Sequence, residues 1–262
     1  MHELCRTVRF CLPLSPRPDL SGSSNGFAGS PAPVGLSLWQ AIDIVCRDIP
    51  DPTSGYVINI KDIDRIVRDR LVPFLQSAIV ARPAASPEML IAELARRMES
   101  IGTPWCRLIW RLSPYHAYEM HAADLSVCIV RVSFDFAAAH RLHNPALSDE
   151  ENRRLFGKCN NPNGHGHNYR IEPAVEVSSG SSALSVMQIE QLVNTTLIER
   201  FDHRHLNEDT VEFGCDSGCN PTVENIARVF YELLAPVVAS AGGRLRSMTV
   251  WETDRTSATF PA

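Results

Sequence analysis

The stretch that most restricts this chain is Asn160-Asn-Pro-Asn-Gly164 running directly into His165-Gly-His167. Asn, Pro and Gly at this density predict a tight turn. If the segment after Gly164 is extended, His165 and His167 point to one face, because strand side chains alternate with period two. Two imidazoles on one face can ligate one metal ion. Gly166 between them has no side chain, so a strand or ligand can approach closely there. The turn also places Cys159 on a loop, where a thiol meets solvent and substrate.

A His-x-His pair occurs in ordinary surface loops too. His140, at the end of a strand-like run, supplies a third candidate. Three protein ligands leave the fourth tetrahedral position open, which is the catalytic zinc pattern. His143 competes for the role but lies beyond the strand in His-Asn-Pro, and is expected in the loop. Cys159 has two readings. It is a base or nucleophile if nearby cations such as Lys158 lower its pKa, or it is a fourth ligand that closes the site.

The remaining totals set bounds. The chain has 262 residues with 44% apolar content and a net charge of -5. It is long enough for one large or two small globular domains. The negative balance argues against nucleic acid as a partner. No apolar run approaches membrane-spanning length and no export signal is visible at Met1-His-Glu-Leu-Cys-Arg, so a cytoplasmic protein is expected. The eight cysteines are scattered, several within apolar runs, as reduced buried thiols are. Cys215-Asp-Ser-Gly-Cys219 is one close pair without a second, and is taken as a pair of loop cysteines.

Hydrophobic periodicity predicts strands at Arg6–Leu14, Val34–Arg47 and Tyr56–Ile60, a helix through Ile63, Ile66, Val67 and Leu71, and a loop over Leu20–Pro33. Ser86-Pro-Glu88 opens another helix, and Trp105–Leu112 is a strand. The plan then repeats, with a single strand over Ser126–Phe136 and a capping box at Ser148–Glu151. A strand follows at Asn168–Val177, then helices carrying Ile189 to Arg200 and Ile226 to Leu233. Strands at Arg246–Trp251 and Thr256–Phe260 end the chain.

Both halves therefore follow one order of elements, which predicts an α+β internal duplication with its join near Met120–Ala123. Residues 1–122 form one unit and 123–262 the other. The histidines separate the two. None lies between His2 and His116, whereas His121, His140, His143, His165, His167, His203 and His205 follow. The first half cannot build the same site by itself and is expected to be a structural or interface copy. Asp202-His203 is a carboxylate beside an imidazole, able to orient it and relay a proton. Glu224 lies in a helix's first turn, and Glu252 follows the strand Met248–Trp251. A carboxylate there can accept two hydrogen bonds from an amidine-like ring edge. The plain reading of both glutamates is a solvated charge.

Taken in order, Phe136-Ala-Ala-Ala-His-Arg-Leu-His143, Leu147-Ser-Asp-Glu-Glu-Asn152, the Phe156–Tyr169 segment, Asp202-His-Arg-His-Leu-Asn207, Pro221-Thr-Val-Glu-Asn225 and Val250-Trp-Glu-Thr-Asp254 closely resemble the 6-pyruvoyl-tetrahydropterin synthase / 6-carboxytetrahydropterin synthase family. The resemblance spans about Val127 to Phe260. It implies tandem tunnelling-fold units, each an antiparallel sheet with two helices on one face, assembled into a barrel with active sites between subunits. It implies Zn2+ on His140, His165 and His167, and Cys159 as the proton-abstracting thiol with Asp202 and His203. Glu252 would anchor the pterin ring, with Thr222 and Glu224 lining the pocket. The reaction implied is removal of triphosphate from 7,8-dihydroneopterin triphosphate by a zinc-dependent lyase. Arg141, Lys158 and Arg204 are candidates for the triphosphate. A 6-carboxytetrahydropterin synthase of deazapurine biosynthesis and a non-catalytic pterin-binding protein are the alternatives. The family's carboxy branch usually has its cysteine closer to the His-x-His pair than the six residues found here. A two-half chain predicts a homo-oligomer in which active and inactive units alternate.

Overall fold

The computed structural model describes residues 1–14, 25–30, 36–99, 102–180, 184–214 and 219–262. The chain divides into two compact units, Met1–Arg131 with Val177–Ala183, and Val132–Glu176 with Leu184–Ala262. Each is an antiparallel sheet covered by helices, so the chain is of α+β class. Among the described residues no helix is long and apolar enough to cross a membrane.

In the first unit, β1 (His2–Pro13) and β2 (Ser37–Asp48) pair over their full lengths. Helices α1 (Ile60–Ile66) and α2 (Val72–Ala81), joined by a π-helical turn at Val67–Leu71, and α3 (Pro87–Glu99) follow. β3 (Trp105–Ser113) then pairs with β2, and β4 (His116–His121) pairs with β3. One sheet face packs on the helices through Val8, Phe10, Leu12, Ile42, Ile44, Leu108 and Tyr118, met by Ile63, Leu71, Leu75, Ile91 and Met98. Burial of these apolar side chains is the main favourable term. The first helix starts where Asn59 accepts the Lys61 N–H. Tyr56–Ile60 is therefore not a strand. Tyr56–Asn59 bends into that cap, which outweighs the short run's β-propensity.

The outer edge of β1 is partly occupied by its own chain. Asn25 Oδ1 accepts the Arg9 N–H at 2.9 Å and its Nδ2 donates to Thr7 O at 2.7 Å. The Ser30 N–H donates to Arg9 O at 3.1 Å. Gly29, at φ +89, lies so close that a Cβ would meet Phe10 C at 2.9 Å. Residues 25–30 thus satisfy strand groups that would otherwise invite another strand. Asn25→Ala is expected to lower unfolding free energy in urea by about 2 kcal/mol, two lost hydrogen bonds at ~1 each. It should also add concentration-dependent association, read by light scattering. The rest of the Leu20–Pro33 loop, residues 20–24 and 31–33, lies outside the described residues.

β5 (Asp124–Val132) and β6 (Phe134–His140) are two strands where the periodicity suggests one. Ser133 interrupts them, its hydroxyl donating to Glu172 Oε2 at 3.3 Å. α4 (Asp149–Phe156) carries the capping box, with Ser148 and Glu151 bonded reciprocally. β7 (His165–Ser178) begins directly after Gly164. α5 (Val186–Val193), a π-helical turn at Asn194–Ile198 and α6 (Glu199–Phe201) lead to β8 (Arg204–His205) and α7 (Leu206–Asp209). α8 (Val223–Ser240), β9 (Arg244–Thr253) and β10 (Thr256–Phe260) complete the unit.

The second unit's sheet runs β10-β9-β7-β6-β8, antiparallel except for the short β6–β8 pair. Its order β6-β7-β9-β10 matches β1-β2-β3-β4 of the first unit, with helices inserted after the second strand in both. A π-helical turn interrupts the first helical run in each. Its core is aromatic. Phe136 stacks on Tyr169 with centroids 4.9 Å apart, and Phe230 of α8 meets Phe136 at 5.4 Å.

Candidate functional site

Register brings three histidines together. His140 lies directly opposite His165 across β6 and β7, and His167 lies two residues further along β7. All three side chains therefore share the face that carries Phe136 and Tyr169. The aromatic core ends in imidazoles: Tyr169 is 5.4 Å from His167 and 6.1 Å from His140, centroid to centroid. The ligating nitrogens of the three lie within 4.8 Å of one another.

The electrostatics prepare these nitrogens for a cation. His140 is fully buried and its Nδ1 lies 2.7 Å from Pro221 O. A carbonyl oxygen only accepts, so Nδ1 carries the hydrogen and Nε2 presents its lone pair. Burial pushes the His140 pKa down to about 4 against the opposing Pro221 contact, which holds the ring neutral at pH 7. His165 is lowered as well, first by burial and then by His167. His140 Nε2 and His165 Nε2 are 3.1 Å apart. Two nitrogens on one tetrahedral zinc lie roughly 3.3 Å apart, given Zn–N distances of ~2.05 Å. His165 Nδ1 and His167 Nε2 are buried without a hydrogen-bond partner. The orphaned His167 Nε2 and the converging lone pairs fit a metal ion.

Glu252 on β9 turns its carboxylate toward this group, with Oε1 3.6 Å from His140 Nε2 and 3.5 Å from His167 Nε2. Thr222 caps α8, its hydroxyl accepting the Asn225 N–H at 3.3 Å, immediately after the Pro221 carbonyl that holds His140. Glu224 lies exposed in the first turn of α8. His143 sits in the loop after β6, where its Nδ1 accepts from Asn160 at 3.1 Å.

Cys159 is half-buried in a 3-10 turn, Gly157–Asn160, held by Asn160 Nδ2 donating to Leu142 O at 2.7 Å. Asp202 and His203 are pinned to β6. Asp202 Oδ1 accepts the Ala137 N–H and Oδ2 lies 2.8 Å from His203 Nδ1. Hydrogen bonding from Ala137 holds the Asp202 carboxyl below its ordinary range. His203 adopts φ +56, rare for a residue with a Cβ, and its side chain is 82% exposed. Among the described residues Cys159 makes no hydrogen bond to either. His203 lines a cavity beside His167 with Arg204, whereas Lys158 and Asn160 line a different cavity beside His165.

Two supporting contacts have no sequence signal. Asn207 grips both backbone groups of Arg141, accepting its N–H at 2.8 Å and donating to its carbonyl at 3.1 Å. Pro221 meets His140 across 81 positions. Asn207 falls within a motif, but the partner does not follow from it. Cys219 contacts Arg228, and Cys215 lies outside the described residues.

The family profile of 6-pyruvoyl tetrahydropterin synthase matches residues 129–262. Human 6-pyruvoyl tetrahydrobiopterin synthase is 38% identical over 132 residues, 48% of this chain and 88% of the human one. The Drosophila melanogaster protein of that name is 40% identical over 95 residues, 35% of this chain and 55% of its own. A solved structure of Caenorhabditis elegans 6-pyruvoyl tetrahydropterin synthase aligns with 31% identity and a TM-score of 0.47. The alignment covers 52% of this chain and 96% of that one.

Proposed function

Because this chain belongs to the 6-pyruvoyl tetrahydropterin synthase family, we propose that it is a zinc-dependent lyase that converts 7,8-dihydroneopterin triphosphate to 6-pyruvoyl-tetrahydropterin and triphosphate. The observation that carries this reading is the convergence of His140, His165 and His167, with the tautomer of His140 set by Pro221. These three residues would hold the zinc. When bound, it would act as a Lewis acid toward side-chain oxygens of the substrate and acidify the adjacent carbon-bound protons.

The remaining steps fall to the chain's own groups. Cys159, as a thiolate, takes a proton from the substrate side chain. Asp202 accepts from His203 Nδ1, which leaves Nε2, the solvent-facing nitrogen, to carry or return a proton. Glu252 accepts the N–H edge of the pterin ring, with Thr222 and Glu224 at the same wall. Proton loss beside the phosphate ester allows the C–O bond to break and triphosphate to depart, with no water attack. The dihydropterin ring is reduced as the side chain is oxidised, so no external redox partner enters.

The exposed His203, in a cavity other than the one that Lys158 lines, supports a homo-oligomer whose sites are completed between copies. We assign residues 1–122 to a degenerate, non-catalytic copy and 123–262 to the catalytic one. In support, Leu12 lies opposite Leu38, with Gln40 two residues on, in the arrangement that His140, His165 and His167 have in the second unit. None of the three can ligate zinc through nitrogen or sulfur in the manner of a histidine. A working thiolate needs a reducing compartment, so the cytoplasm is the assigned location.

The test is a product assay. Zinc-loaded protein incubated with 7,8-dihydroneopterin triphosphate should yield the pyruvoyl pterin and free triphosphate by mass spectrometry. A carboxypterin with acetaldehyde would move it to the carboxy branch. No conversion at full zinc occupancy would refute lyase activity on this substrate.

A further inference from the structure

Beyond His140 the chain leaves β6, and residues 141–144 belong to no strand or helix. Backbone groups there lose their ladder partners and need others. Asparagine side chains from four places supply most of them. Asn207 takes both groups of Arg141. Asn152 of α4 takes both of Asn144, accepting its N–H at 2.8 Å and donating to its carbonyl at 2.9 Å. Asn220 Oδ1 accepts the His143 N–H at 3.0 Å. Leu142 is gripped by two consecutive residues of the turn after α4. Its N–H donates to Cys159 O at 2.8 Å, and its carbonyl accepts from Asn160 Nδ2 at 2.7 Å.

Asn160 is the member of this set that adjoins the proposed base. It is 6% exposed, and its Nδ2 serves Leu142 O and His143 Nδ1 together, the second at 3.1 Å. Its own main-chain carbonyl accepts from Arg141 Nε at 3.3 Å. One residue thus meets all three positions that follow the buried His140. The turn itself belongs to no sheet, and Gly157, at φ +54, separates it from α4. The contacts of Cys159 and Asn160 with Leu142 and His143 fix it to the segment that leaves β6. An amide whose two N–H groups are both committed has one orientation, and so gives the turn one place.

We propose that Asn160 is a positioning residue for Cys159: its grip on Leu142 and His143 sets where the thiol sits relative to His140, and that placement sets the rate of proton removal. Proton transfer depends steeply on the separation of the two atoms, and a misplacement of about 1 Å costs on the order of 100-fold. Asn160 acts through its neighbour and not on the substrate. The second half of this inference rests on the reading given under Proposed function; the first does not.

Asn160→Ala and Asn160→Asp, made in the zinc-loaded full chain, test both halves. Aspartate keeps the shape and lacks the donor, so it separates a lost hydrogen bond from a lost volume. Zinc content should stay at the wild-type level in each. Alkylation of Cys159 by iodoacetamide, read by peptide mass spectrometry, should quicken about tenfold, the effect of one lost hydrogen bond on a local opening. Hydrogen exchange at the Leu142 amide, slow in wild type, should quicken with it. With 7,8-dihydroneopterin triphosphate, kcat should fall about tenfold to a hundredfold while KM moves less than about threefold. Asn160→Gln, which restores a donor, should recover part of the kcat. A merely structural loss would lower the melting temperature without that split. Fast exchange at the Leu142 amide of wild type would overturn the proposal without any variant. Wild-type alkylation and exchange rates in both variants would overturn it too, as would an unchanged kcat in variants whose turn has loosened; an active wild type then leaves the lyase reading standing. Faster alkylation and exchange in the variants, with no turnover by wild type, would uphold the first half and sink the lyase reading.

Discussion

His140→Ala is expected to abolish zinc retention and lower turnover by about 10^3-fold or more. The magnitude follows from losing several kcal/mol of Lewis-acid stabilisation, at roughly 1.4 kcal/mol per tenfold. His140 is the fully buried member of the trio and the one whose tautomer is set from outside the cluster. Its loss leaves the Pro221 carbonyl without its donor and opens a hole at the end of the Phe136–Tyr169 stack. An accompanying drop in thermal stability is expected, on the order of 1–3 kcal/mol for the stranded carbonyl. His143→Ala separates the alternatives, because His143 is bonded to Asn160 in the loop. That variant should keep its zinc. Elemental analysis after gel filtration reads both. Full zinc in His140→Ala would remove this residue from the ligand set.

Cys159→Ala should lose about 10^2- to 10^4-fold in turnover, the range for removing a positioned proton-transfer group, while retaining zinc. Loss of zinc instead would make Cys159 a ligand and the site a closed one. The geometry adds a sharper form of the experiment. Within one chain, Lys158, next to Cys159, lines one cavity and His203 another. If a neighbouring copy completes the site, Cys159→Ala and His203→Ala chains, each nearly inactive, should regain activity when co-assembled. Mixed oligomers that stay inactive would argue for a site completed within one chain.

The structural reasons why each residue is where it is divide into two kinds. Local rules account for much of the frame. The Asn-Pro-Asn-Gly turn and the period-two pattern are enough to put His165 and His167 on one face. The Ser148 box and the Ser86-Pro87 start are each set within four residues, and both helices begin there. The ordered motifs were likewise sufficient to point to the family that residues 129–262 match. Short-range rules also mislead where a neighbour competes. The run Tyr56–Ile60 yields to the Asn59 cap, the Ser126–Phe136 run breaks at Ser133, and β4 forms in a stretch to which periodicity assigned no element.

The sequence by itself therefore determined which chemistry-bearing residues exist, which strand and helix ends carry them, and that only the second half has a full set. Tertiary structure decided the rest. Pairing of β6 with β7 sets His140 against His165. A carbonyl far along the chain chooses the nitrogen that His140 presents. The φ of His203 holds its imidazole toward solvent, and Asn160 grips Leu142, 18 positions before it. Each of these depends on groups distant in the chain meeting at one register, and local propensity carries no term for such a meeting.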